Sequence, residues 1–167
     1  MKHLALLTAA TFLVSLIFFS CKNDKINQPY VPVKPCNDLT RNIDSARLFI
    51  QGTWEWLEEK RVTRTDGIIY LTPQTEGYNL TMKINKDSSI QYFKNGIADS
   101  IYVYKILRIG EITGTNYPED NYPALVTYHS YNGLRNSYIP IQICADYLLE
   151  QAQYVSSVSG ELIWKKK

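Results

Sequence analysis

From Thr53 almost to the C-terminus, apolar and polar residues alternate with period two, and that pattern decides what the chain can become. Trp54 and Trp56 alternate with Thr53, Glu55 and Leu57, so both indoles face one side. Tyr78, Leu80, Met82 and Ile84 do the same against Asn79, Thr81, Lys83 and Asn85. Polar turns punctuate the runs: Lys86-Asp87-Ser88, then Asn95-Gly96 and Asn132-Gly133, the dipeptide that most favours a tight hairpin. Further strands are expected at Ile90–Tyr92, Ile101–Ile109, Ala124–Ser130, Tyr138–Cys144, Tyr147–Gln151 and Glu161–Lys166, with a polar loop over 110–123 and a last turn at Ser159-Gly160. About eight short strands joined by local hairpins hide their edges best by closing on themselves. The expected fold class is therefore all-β: an eight-stranded antiparallel up-and-down barrel, whose interior side chains fill or which holds one small ligand. The same alternation would also permit an open β-sandwich.

The N-terminus has a different character. Met1-Lys2-His3 is a short basic leader, and Leu4 to Phe19 is apolar apart from Thr8, Thr11 and Ser15. That length matches a signal-peptide core and falls short of a membrane span. Ser20 then precedes Cys21, and the chain turns polar at once with Lys22-Asn23-Asp24-Lys25. The expected organisation is a signal peptide at 1–20, a flexible tether at 21–44 and a barrel domain at 45–167. Three prolines between residues 22 and 37 favour an extended tether. A short helix is expected within 38–51, capped by Asp44 or Ser45 and apolar along Ala46, Leu48, Phe49 and Ile50, with Gly52 ending it.

Charge narrows the partners. The chain carries 18 basic and 16 acidic residues, a net charge of +2 that includes Lys2 of the leader. This near-neutral balance argues against nucleic acid, which asks for a strongly basic face. Lys165-Lys166-Lys167 is a local basic tip that reads as a solubilising strand end. Of the 3 cysteines, Cys36 and Cys144 remain once Cys21 is set aside. In an oxidising compartment they form one disulfide or stand as two separate thiols. The sequence carries no signal for oligomeric state.

Four segments carry family resemblances. "FFSC" at Phe18 to Cys21 resembles the lipobox of bacterial lipoproteins, with Phe18 where Leu is usual and Phe19 where a small residue is usual. The resemblance implies that Cys21 is acylated with palmitate-class chains and anchors the protein in the outer membrane. The charged run after it resembles export tags that lead to the cell surface. The alternatives are an ordinary cleaved signal with a chance cysteine, or an uncleaved anchor. "GTW" at Gly52 to Trp54 resembles the G-x-W signature of lipocalins. Together with "TPQTEGY" at Thr72 to Tyr78 and the strand–turn–strand at 78–96, it resembles the lipocalin-like domain of small Bacteroidota lipoproteins. That resemblance implies a tryptophan at the barrel floor and a basic residue of the last strand over it: Lys165, with Lys166 the alternative.

No motif of catalysis stands out. His129 is the one histidine beyond the leader and lacks a partner at metal-ligand spacing. Glu58-Glu59 and Glu119-Asp120 are adjacent pairs, so on a strand their members point to opposite faces, and a solvated role is expected. There is no glycine-rich phosphate loop. The reading is of a non-enzymatic protein with no catalytic residues, no metal and no cofactor. Tyrosine is abundant, with 13 residues. Its ring is apolar and its tip polar, which suits the wall of a cavity or a well-packed sheet. Trp56, Tyr102, Tyr104 and Tyr128 are the candidates for cavity or mouth; Tyr117, Tyr122, Tyr128 and Tyr131 cluster in or beside the long loop. Two functions follow: a membrane-anchored module that binds a small apolar or amphipathic ligand, or a filled barrel whose loops bind an envelope protein or glycan.

Overall fold

A computed structural model describes residues 30–63, 65–129, 133–154 and 158–167. Cys21, the leader and Tyr131 lie outside the described residues. The architecture is a closed antiparallel barrel of eight strands with one extra strand. In chain order the strands are β1 (Gly52–Thr63), β2 (Gly67–Leu71), β3 (Leu80–Ile84), β4 (Ser89–Lys94), β5 (Ile97–Arg108), β6 (Pro123–His129), β7 (Arg135–Ile143), β8 (Tyr147–Tyr154) and β9 (Val158–Lys166). Neighbours in sequence pair from β3 to β9, and β9 returns to β1, from Trp54↔Lys166 to Val62↔Ser159. The sandwich alternative, with its free margins, is thereby set aside.

The extra strand arises because β1 is long. Its first half pairs with β3 and its second half with β2, both on the edge away from β9. The sequence reading missed β2. Its residues, Gly-Ile-Ile-Tyr-Leu, form a short apolar run without alternation, which periodicity alone does not mark as a strand. Gly160, expected in the last turn, is paired within β9 opposite Arg61 and Ala152. The Asn95-Gly96 hairpin forms as expected, both residues having positive φ (52° and 77°), as the tight primed turn requires. The long loop before β6 carries a short helical turn at Ile109–Thr113 and a 3₁₀ turn at Pro118–Asn121.

One end of the barrel is plugged by helix α1 (Ile43–Phe49). Its N-cap is Asn42, not Asp44 or Ser45: the Asn42 side-chain oxygen accepts from the N–H groups of Asp44 and Ser45 at 2.9 and 3.0 Å. The buried face is Ile43, Ala46 and Ile50, while Leu48 is 73 % exposed. Helical spacing explains the correction: residues three and seven beyond Ile43 lie on its side, whereas Leu48 falls on another. These three residues join Trp54, Ile84, Ile90, Ile106, Leu125 and Ile143 in one core.

The chain leading into α1 is held against the barrel. The Val33 N–H donates to Glu58 Oε2 at 2.7 Å. Cys36 is disulfide-bonded to Cys144, with Cα atoms 6.8 Å apart. Thr40 exchanges both backbone hydrogen bonds with Ile143, at 2.9 and 3.0 Å. The expected tether boundary at residue 44 thus lies inside a bound segment that starts no later than Val33.

Candidate functional site

Register assigns each strand residue to the inside or the outside, and the two halves of the interior differ. The plugged half is apolar and satisfied. Trp54 is fully buried, and its indole N–H donates to Ile50 O at 2.7 Å. Lys166 Nζ lies 5.1 Å from the Trp54 ring centre and donates to Phe49 O at 2.9 Å, closing the helix C-terminus. Burial pushes its ammonium below the usual lysine range, with Asp146 opposing. This is the basic residue that the sequence reading placed first at Lys165. Lys165 instead pairs across from Glu55 and Tyr147 and is exposed, because successive strand residues face opposite ways. Gly52 belongs to the same arrangement. Its φ is +132°, and a Cβ there would sit 2.7 Å from Lys166 Cε. A side chain at Gly52 would displace the lysine that covers Trp54.

The other half of the interior is polar and aromatic. A bulge between Trp56 and Glu58 resets the alternation of β1. Glu59 then faces inward opposite Leu162, and Glu58 faces outward opposite Ile163. Both carboxylates are buried, at 1 % exposure for Glu58 and 7 % for Glu59. The two do point to opposite faces, but the expected solvation is overturned. Glu58 is covered by the Val33 segment, and Glu59 is ion-paired with Arg61, whose Nη2 lies 3.0 Å from Oε2.

Glu150 on β8 has no ion-pair partner among the described residues. It faces inward opposite Ile141 and Leu162 and is 3 % exposed, yet its Oε1 makes no hydrogen bond. Burial pushes its carboxyl up to about 7, with the Trp164 indole opposing part of the rise. Among the described residues the buried indole N–H of Trp56 has no hydrogen-bond partner, and that of Trp164 acts on the Glu150 carboxyl without reaching full hydrogen-bond geometry. Trp56 and Trp164 pair across β1 and β9, and Trp164 lies one diagonal step from Glu150. Tyr92 comes from the far wall; burial pushes its hydroxyl far up, and Glu150 and Tyr102 add to the effect. Tyr92 meets Tyr102 edge-on at 6.2 Å, and Tyr102 lies 5.8 Å from the His129 ring.

The "TPQTEGY" segment finishes this half. Helix α2 (Pro73–Glu76), capped by Thr72 and stopped by Gly77 in the left-handed region, turns the chain so that the Tyr78 ring stacks on Trp56 at 5.7 Å. Lys94 Nζ sits 4.1 Å above the outer side of that stack, at the Tyr78 ring.

Of the four aromatic candidates for a cavity, Trp56 and Tyr102 both face inward in this half, Trp56 against Tyr78 and Tyr102 against Tyr92 and His129. Tyr104 also points inward but toward the plugged half, where its hydroxyl donates to Asn85 O at 3.2 Å. It borders an outer cleft of about 350 Å³ with Arg47, Ile50 and Lys86. Tyr128 is corrected to the outer face: it pairs with the exposed Val103, and Lys105 lies 5.4 Å from its ring. Glu150 and Trp164 were missed as site residues. Alternation from Leu148 through Glu150 was visible, and a charged residue in an inward register was the available signal. Cys36, Asp38 and Cys144 come close together, but both sulfurs are tied in the disulfide and are not free to hold a metal.

In comparisons with known proteins, no family model, no curated protein and no solved structure matches this chain.

Proposed function

We propose that this protein is a lipocalin-like lipoprotein, anchored in the outer membrane through acylated Cys21, that binds a small ligand in the barrel half opposite α1. One observation carries the reading. Two buried polar groups in this half, Glu150 Oε1 and the indole N–H of Trp56, lack hydrogen-bond partners among the described residues, and the Trp164 indole beside Glu150 is its one, weakly placed donor. Leaving such a group unmade costs about 1–3 kcal/mol, more for a charge. A fold that satisfies Trp54 and Lys166 at the other end has the means to satisfy these, so their state fits a role in binding. Fold by itself does not license function; the reading rests on this site.

Two measurements test it. Cells fed labelled palmitate should incorporate label into the chain, and Cys21→Ala should abolish both incorporation and membrane association. The three tryptophans all lie in the barrel. Saturable energy transfer from them to N-phenyl-1-naphthylamine, at one probe per chain, is the expected sign of interior binding. A purely linear signal from partitioning would refute it. In that case the alternative, loops that engage an envelope protein or glycan, becomes the better account.

A further inference from the structure

Resting on that interior-binding reading, we infer that the ligand is a small organic ammonium with an apolar body, its charge seated at Glu150. The titratable groups of this half among the described residues are Glu59 and Arg61 on β1, Tyr92 on β4, Tyr102 on β5, His129 on β6, and Tyr78 with Lys94 over its ring, both on the outer side of Trp56. The inner positions of β3 (Leu80, Met82, Ile84), β7 (Ile139, Ile141, Ile143) and β9 (Leu162, Trp164) offer no ionisable group. Arg61 is engaged by Glu59, and Lys166 lies at the other end, bonded to Phe49 O. No cation among the described residues is placed on Glu150.

The walls suit the same occupant. Trp56, Trp164, Tyr92 and Tyr102 present aromatic faces, whose negative quadrupole attracts a cation, most strongly for indole and in a desolvated site. A neutral alcohol or amide could satisfy the Trp56 indole N–H. A buried carboxylate without a counter-charge is the costlier defect, because ionic desolvation exceeds that of one N–H. Charge therefore decides the class.

Three probes of similar size separate the possibilities: 2-phenylethylamine, 2-phenylethanol and 3-phenylpropionate, titrated into the intact chain by calorimetry. The amine should bind best. Because Glu150 titrates near 7, its affinity should rise about tenfold from pH 6 to pH 8. Glu150→Gln should lower that affinity at least tenfold at pH 8 and remove the pH dependence, while Glu150→Asp keeps it. The indole NMR signals give a check on folding and place: the amine should shift those of Trp56 and Trp164 and leave that of Trp54 in position. An amine affinity flat with pH, equal binding by Glu150→Gln, or tighter binding of the alcohol or acid overturns the ammonium assignment. So does failure of the amine to bind where the naphthylamine probe does. If neither the three probes nor the naphthylamine binds, the interior-binding reading itself falls.

Discussion

The three tryptophans of this barrel compare its two halves directly. Trp54, in the plugged half, is fully buried and bonded through its N–H to Ile50 O. Trp56 and Trp164, a step further along the same inner face, are almost equally shielded from water; among the described residues Trp56 has no hydrogen-bond partner, and Trp164 has only the Glu150 carboxyl. Their environments differ because α1 brings main-chain carbonyls, from Phe49 and Ile50, into one end of the barrel. Among the described residues the other end receives side chains from the strands and from Tyr78, which follows α2. One half is built for stability, and the other keeps polar capacity unspent.

The largest effect should come from breaking the stable half. Trp54→Ala removes a buried indole and its hydrogen bond, and should cost about 3–5 kcal/mol in urea unfolding. Loss of the disulfide comes next. Cys36 and Cys144 are 108 residues apart, and a loop of that length is worth about 4–5 kcal/mol of chain entropy, of which native bridges deliver 2–5. Cys36→Ser/Cys144→Ser should lose that amount, with strand circular dichroism retained.

The third prediction concerns the other half and has the opposite sign. Glu150 has a raised pKa in the folded barrel, about 7 against 4.5 for an unperturbed carboxyl. Between those values the unfolded chain has released a proton that the folded one retains. Stability is therefore greatest below pH 4.5 with respect to this group and falls as pH rises through 7. Glu150→Gln should flatten that dependence and raise stability at pH 8 by on the order of 3 kcal/mol. A destabilised Glu150→Gln would erase the contrast between the halves. The smallest effect sharpens the basic-tip assignment: Lys166→Met should cost about 1–2 kcal/mol through the lost Phe49 contact, while Lys165→Met stays within about 0.5.

Much of the fold was legible because alternation fixes both strand and face. Leu80 to Ile84 and the Asn95-Gly96 turn were read directly from residues that obey one local rule, whereas Tyr78, expected in the same strand, lies before it. What escaped depended on events that interrupt the rule. The bulge after Trp56 moved Glu59 inward, and no residue there announces a bulge. Strand β2 forms because β1 outruns β3, a relation between two strands rather than a property of Gly67–Leu71. Choosing Lys166 over its neighbour needed the β9 register. At the site, Trp56 and Tyr102 were legible from alternation. Glu150 was not, because a lone acid in a strand reads as solvated until the opposing wall is known.

The hitch at the start of the barrel domain has a mechanical consequence. Val33 grips Glu58 on the outer wall, and three residues later Cys36 is covalently fixed beside the end of β7. A pull applied upstream would run along the wall and stop at that sulfur link. It would shear a short strap rather than draw the stopper formed by Ile43, Ala46 and Ile50 out of the mouth it fills, so a drag on the leash leaves the floor of the barrel seated.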